Sequence, residues 1–105
     1  MKKRSIIDHI EISRDGTINV RIAKEVLDGD GTVLISAWHR TVCPPGSNID
    51  AQMQAVNANL HEMKCASVGG TCIARLKAHA ATAWTEEVKR DHQAKVEDAL
   101  KMRAQ

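Results

Sequence analysis

Aromatic side chains are almost missing from this 105-residue chain, which has no Phe and no Tyr. Its only aromatic residues are Trp38 and Trp84. Because aromatic rings bury more apolar area than aliphatic side chains, the core must be built from Ile, Val, Leu, Met and Ala. Such a core is modest for a chain of this size, and it favours additional contacts between copies. The lack of stacking rings also argues against single-stranded nucleic acid as a partner.

The chain also lacks a dominant charge and a long apolar run. Fifteen basic and thirteen acidic side chains give a net charge of +2, too balanced to indicate nucleic-acid binding. The basic residues 2–4 are typical of the start of a signal peptide, but Asp8, His9 and Glu11 interrupt the apolar run that must follow. No uninterrupted apolar segment is long enough to span a membrane. We therefore expect folding in a cytoplasm, where the three cysteines are reduced by default.

Apolar residues alternate with polar ones through residues 5–42, a period typical of strands. Asp15-Gly16 lies between two alternating runs, and this pair predicts a tight hairpin turn, whose backbone requires positive φ. The glycine-rich segment 28–31 predicts a second turn. Two short connections between three strands require an antiparallel β-meander.

Finer features of these strands can also be predicted. The first strand should place Ile6, Asp8, Ile10 and Ile12 on one face, and the second should be irregular near Ala23-Lys24. The third strand has apolar residues on both faces, which is typical of a central or doubly covered strand. If Trp38 of this strand lies in the core, its replacement by alanine should cost about 3 kcal/mol.

Helical periodicity marks residues 47–105, after Pro44-Pro45 ends the sheet. A first helix can be capped by Ser47, Asn48 or, preferably, Asp50. Its apolar positions are Met53, Val56, Leu60 and Met63. Paired glycines break it at residues 66–71, and Thr71 can cap a second helix. The apolar positions of the second helix are Ile73, Leu76, Ala80 and Ala83. The two helices predict a helical hairpin.

The last segment either continues the second helix or restarts at Thr85 as a C-terminal helix. Its apolar line is narrow and consists of Val88, His92, Val96 and Leu100. Such a line is either a helix edge packed on the sheet or an interface with another chain. Altogether the sequence predicts one α+β domain over residues 1–105, with a three-stranded meander, a helical hairpin and a C-terminal helix.

A doubled His-x-x-x-Cys spacing is the most specific chemical pattern, formed by His39 with Cys43 and His61 with Cys65. These four side chains are zinc candidates, although a polar histidine and small buried cysteines explain them better. Cys65 and Cys72 flank the helical turn and are candidates for a disulfide if the chain reaches an oxidising environment. No residues form a recognisable nucleophile, base and orienting group, so we expect neither an enzyme nor a cofactor.

Five short segments follow one another in a distinctive order: residues 15–21 (DGTINVR), 30–35 (DGTVLI), 39–42 (HRTV), 45–46 (PG) and 84–88 (WTEEV). In this order they resemble a group of small proteins of tailed bacteriophages. The resemblance covers the first half of the chain and this last short segment, and it implies a virion or tail-associated role without an activity. The stretch between Gly46 and Trp84 departs from the pattern, so the resemblance implies no role for Cys65 and Cys72, which lie in it.

The resulting hypothesis is a structural or attachment component of a phage particle, made in the host cytoplasm and located in the virion. It would act through protein–protein contacts as a homo-oligomer or with other virion proteins. The alternative is a small phage protein that binds and inhibits a host factor. Oligomer formation favours the first hypothesis, and a monomer with an exposed apolar patch favours the second.

Overall fold

A computed structural model of the protein describes residues 2–104. Three strands are followed by three helices: β1 (Lys2–Ile12), β2 (Ile18–Leu27), β3 (Val33–Cys43), α1 (Ile49–Glu62), α2 (Gly70–Ala83) and α3 (Glu86–Ala104). The strands form one antiparallel sheet in the order β1-β2-β3. This confirms the predicted α+β fold with an N-terminal meander followed by helices.

Both strand connections depend on a glycine with positive φ. Gly16, at φ 92°, donates its N–H to the carbonyl of Ser13 over 2.9 Å, and Gly31, at φ 84°, donates to Asp28 over 3.2 Å. A residue with a Cβ rarely adopts this conformation. The two Asp-Gly signals therefore lie where the sequence predicted turns.

The core lies on one face of the sheet, under α1 and α2. The central strand β2 supplies Ile18, Val20 and Ile22, which are at most 2% exposed. The cluster is completed by β3, the two helices and the connection between them, with Cys43, Ile49, Met53, Val56, Leu60, Val68, Leu76 and Ala80. As expected from the composition, this buried cluster is aliphatic.

A β-bulge in β1 overturns the predicted face of the first strand. The pairing with β2 shifts between Ile7 and His9, so Asp8 is an extra residue in the ladder. As a result, Ile7 and Ile10 both pack against the core. The expectation that Ile6, Asp8, Ile10 and Ile12 share one face was wrong, because a bulge reverses the side-chain alternation.

The position of β3 is a second correction, because it is an edge strand and not a central one. The ladder is regular at Ala23-Lys24, where an irregularity was expected, and shifts instead between Val26 and Leu27. Trp38 is 55% exposed, so it is not a core residue, and the condition for a cost of about 3 kcal/mol on its replacement by alanine is not met.

The helix ends follow from local hydrogen bonds. The Asn48 side chain, and not that of Asp50, caps α1 by accepting the Ala51 N–H over 3.0 Å. Helix α2 begins at Gly70, one residue before the predicted cap. The Thr85 hydroxyl accepts the Val88 N–H over 3.2 Å, so α3 is a separate helix that restarts after Trp84.

Candidate functional site

Helix α3 is attached to the body of the protein by its first turn. Trp84 donates its indole N–H to the carbonyl of Gly16 over 2.6 Å, in the β1–β2 turn. Beside it, Val88 packs so closely on Gly16 that a Cβ added there would lie 2.5 Å from Val88 Cγ1. A glycine is therefore required both by the turn and by the helix that docks on it.

Beyond this attachment, α3 projects away from the sheet and the helical hairpin. Every side chain from residue 93 to residue 103 is exposed. Of the four predicted interface residues, Val88 and His92 are half-buried, whereas Val96 is 38% and Leu100 58% exposed. The predicted apolar line is thus divided between a docked half and an uncovered half.

A groove of about 460 Å³ lies between α3 and the β1–β2 turn. Its charged lining consists of Arg14, Asp15, Asp91 and Lys95. Hydrogen bonds from Thr17 lower the pKa of Asp15, and the Lys95 charge lowers it further. The charges of the groove are therefore mixed, which favours a hydrated cleft over a site for an ion of one sign.

The free edge of β3 is the second uncovered surface. Its exposed apolar residues are Val33, Leu34, Ile35, Trp38 and Val42, with 41% to 63% of each exposed. The opposite edge, β1, is different. It carries Lys2, Lys3 and Arg4, contains the bulge at Asp8, and makes a parallel bridge from Ser5 to Val68. Charges, a bulge and cover are the features that prevent an edge from pairing. β3 has only one charge, Arg40, and its extra residue, Leu34, lies near the start of the strand, so residues 35–43 form a regular edge.

A polar cluster on the face of the sheet away from the helices fixes Trp38. Arg21 donates two hydrogen bonds to the Asp8 carboxylate, at 3.0 and 3.1 Å, and the Trp38 indole donates a third at 3.3 Å. The Arg21 guanidinium also lies 5.6 Å from the centre of the Trp38 ring. Partial burial alone would raise the pKa of Asp8, but these hydrogen bonds and the Arg21 charge lower it below its ordinary value.

Sequence reasoning missed this cluster because the bulge brings it together. With regular alternation, Asp8 would lie on the opposite face from Arg21. No pattern in the sequence marks residue 8 as the bulged position. Arg21 and Trp38 are diagonal neighbours on the same face of β2 and β3, and the meander alone could have placed only these two side by side.

The zinc candidates are not assembled. No group of three or more His, Cys, Asp or Glu side chains within residues 2–104 is placed to hold a metal ion. His39 lies in β3 opposite Ile22, while His61 is exposed near the end of α1.

The thiols of Cys43, Cys65 and Cys72 are all free. Cys43 is fully buried, and burial raises the pKa of its thiol, which makes it a poor nucleophile. Cys65 lies within the α1–α2 connection and Cys72 in the first turn of α2, and both are half-buried.

Comparisons with protein-family models, with curated proteins and with solved structures find no match for the chain. Among the described helices, none combines the length and the apolar character that crossing a membrane requires. The described residues leave two apolar surfaces uncovered, the α3 side chains of Val96 and Leu100 and the free edge of β3.

Proposed function

We propose that the protein is a non-enzymatic structural or attachment component of a bacteriophage particle, present in repeated copies in the virion. It acts there through protein–protein contacts with further copies or with other virion proteins. The observation that carries the proposal is the projection of α3, with Val96 and Leu100 uncovered. The phage assignment itself rests on the resemblance of residues 15–21, 30–35 and 84–88 to small proteins of tailed bacteriophages.

The projecting part of α3 lacks the packing that normally stabilises a helix. Residues 93–103 make up more than half of α3, and all of them are exposed. A helix gains most of its stability by packing an apolar face, and short isolated helices are marginal in water. Val96 and Leu100 are four residues apart and lie on the same side of the helix. Packing this side against another chain would stabilise the projecting part.

Purified particles test the proposal directly. The phage is isolated on a density gradient, and peptides of this chain are quantified against the major capsid protein by mass spectrometry. We expect several copies per particle. Absence from the particles, together with co-purification of the chain with a host protein, would favour the alternative of a host-directed inhibitor.

The interface residues are tested in the same particles. The double variant Val96→Asp/Leu100→Asp should lower incorporation of the chain about tenfold or more, because two carboxylates replace the apolar contact. Lys101→Asp is the control, since it changes the net charge by the same −2 at an exposed neighbouring position. Equal loss in both variants would assign the effect to charge rather than to the apolar line.

A further inference from the structure

We propose that the free edge of β3 pairs with β3 of a second copy, antiparallel across a two-fold axis at Trp38, to form a six-stranded sheet. This inference rests on the proposed function and deepens it by naming the partner of one surface. The strand offers eleven residues without proline, and Arg40 is its only Lys, Arg, Asp or Glu. An edge of this kind is a template for pairing.

The register follows from symmetry and from the residues that it brings together. In an antiparallel pair, residues opposite one another lie on the same face, so a two-fold axis perpendicular to the sheet must pass beside a residue. The extra residue Leu34 interrupts the ladder near the start of β3, and an axis at Trp38 pairs the regular residues 35–41 of the two copies. In this register Arg40 lies opposite Ser36 of the second copy, so the two arginines do not face each other. Trp38 of one copy lies opposite Trp38 of the second copy, and the two rings form an aromatic cross-strand pair.

Burial along β3 fits the same register. On the face that carries the helices, Ile35 is 63% exposed, whereas Thr41 is 9% and Cys43 0% exposed. The Gln52 side chain of α1 donates to the Thr41 hydroxyl, so α1 covers this end of the strand alone. Pairing about Trp38 places Ile35 beside Thr41 of the second copy. The bare half of each strand then lies next to the helix of the other chain.

A groove already lies beside the uncovered half of β3, at Ile35 and Ala37. Val26, Ile35, Ala37, Met63 and Cys65 form the apolar part of a groove of about 220 Å³ on the helix-facing side of the sheet. Its β3 side, formed by Ile35 and Ala37, lies where the second copy's α1 would pack. Pairing therefore also buries an apolar surface that the isolated chain leaves exposed.

The contact has the size of an ordinary protein–protein interface. Residues 35–41 of each copy extend over about 24 Å and exchange about six to eight backbone hydrogen bonds. A standard interface has roughly five to fifteen direct hydrogen bonds, so the edge alone lies within this range. The side chains on both faces add apolar contacts to it.

Cysteine cross-linking tests the register in the full chain. Cys65 and Cys72 are first replaced by serine, and the buried Cys43 is retained. Three kinds of sample are then oxidised: Ser36→Cys or Arg40→Cys alone, a mixture of these two single variants, and the double variant that carries both cysteines in one chain. Opposite residues are within disulfide reach, but like residues lie four positions apart along the strands, about 13 Å. We expect covalent dimers from the mixture and from the double variant, and none from either single variant.

The dimer itself is measured by analytical ultracentrifugation. Ile35→Lys should raise the dissociation constant about tenfold or more, because it places a charge beside the second copy's α1. Ile12→Lys is the matched control, since Ile12 is 45% exposed on the other edge strand. Both variants must keep the circular dichroism of the parent chain.

Three outcomes would overturn the pairing: a monomer at high micromolar concentration, cross-linking by either single variant, or equal effects of the two lysines. A monomeric chain that is still incorporated into phage particles would overturn the β3 dimer and leave the proposed function intact. A dimer with the expected cross-links that is absent from particles would support the pairing and contradict the proposed function.

Discussion

Replacement of Gly16 by alanine should destabilise the protein through two separable effects. The first is backbone strain, because Gly16 has φ 92°, and an alanine in the left-handed region costs about 1–2 kcal/mol. The second is a steric clash, because the new Cβ would lie 2.5 Å from Val88 Cγ1 and 3.3 Å from Pro45 Cγ. Overpacking of this kind costs about 1–3 kcal/mol. We therefore expect a loss of about 2–5 kcal/mol in the free energy of unfolding.

Urea unfolding followed by circular dichroism measures this loss. Gly31→Ala is the control for strain alone, because Gly31 has φ 84° and no atom within 4 Å of an added Cβ. Val88→Ala removes the clashing methyl group, so the double variant should recover the steric part and show a coupling of about 1–3 kcal/mol. Equal losses for the two glycine variants, or no coupling with Val88, would mean that α3 does not dock on the turn.

Three further predictions concern single side chains. Trp38→Ala should cost less than about 1 kcal/mol, because the ring is 55% exposed; a loss near 3 kcal/mol in urea unfolding would place it in a buried contact. Asp8→Asn should flatten the acid side of the stability–pH curve. The folded pKa of Asp8 is depressed, so its contribution is present above the unfolded value of about 3.8 and lost as pH falls through the folded pKa. Native alkylation followed by mass spectrometry should label Cys65 and Cys72 first, because Cys43 is 0% exposed with a raised pKa; early labelling of Cys43 would contradict its burial.

Local signals in the sequence predicted most of the architecture. Asp15-Gly16 and the segment 28–31 determine the turns through backbone conformations that glycine adopts easily. The spacing of Met53, Val56, Leu60 and Met63 predicted the buried side of α1. The first three are at most 3% exposed, whereas Met63 lies at the C-cap of the helix and is 45% exposed. These features depend on neighbours within a few positions along the chain, which a single sequence records.

The errors concern arrangements that neighbours do not determine. The bulge at Asp8 adds a residue to one strand, and only its partner strand shows the shift. For β3, apolar residues on both faces were interpreted as cover on both faces. The strand order instead places it at the edge, where its apolar residues are exposed.

The candidate surfaces were predictable in part. Val96 and Leu100 belong to an apolar line that the sequence identified, but its division at His92 depends on how α3 docks on Gly16. The free edge at Ile35 was not predictable from β3 alone, because an apolar residue in a strand is far more often buried.

The attachment of α3 at Gly16 makes this helix a lever arm. Its nineteen residues extend about 28 Å from the pivot, so a 10° tilt at Trp84 moves the far end by about 5 Å. Leu100 lies about 21 Å from the start of the helix and moves by about 4 Å, most of one helical turn, which is enough to move it out of register with any surface it contacts. Substitutions in the β1–β2 turn should therefore impair assembly at a distance, even where the sheet and its core remain folded.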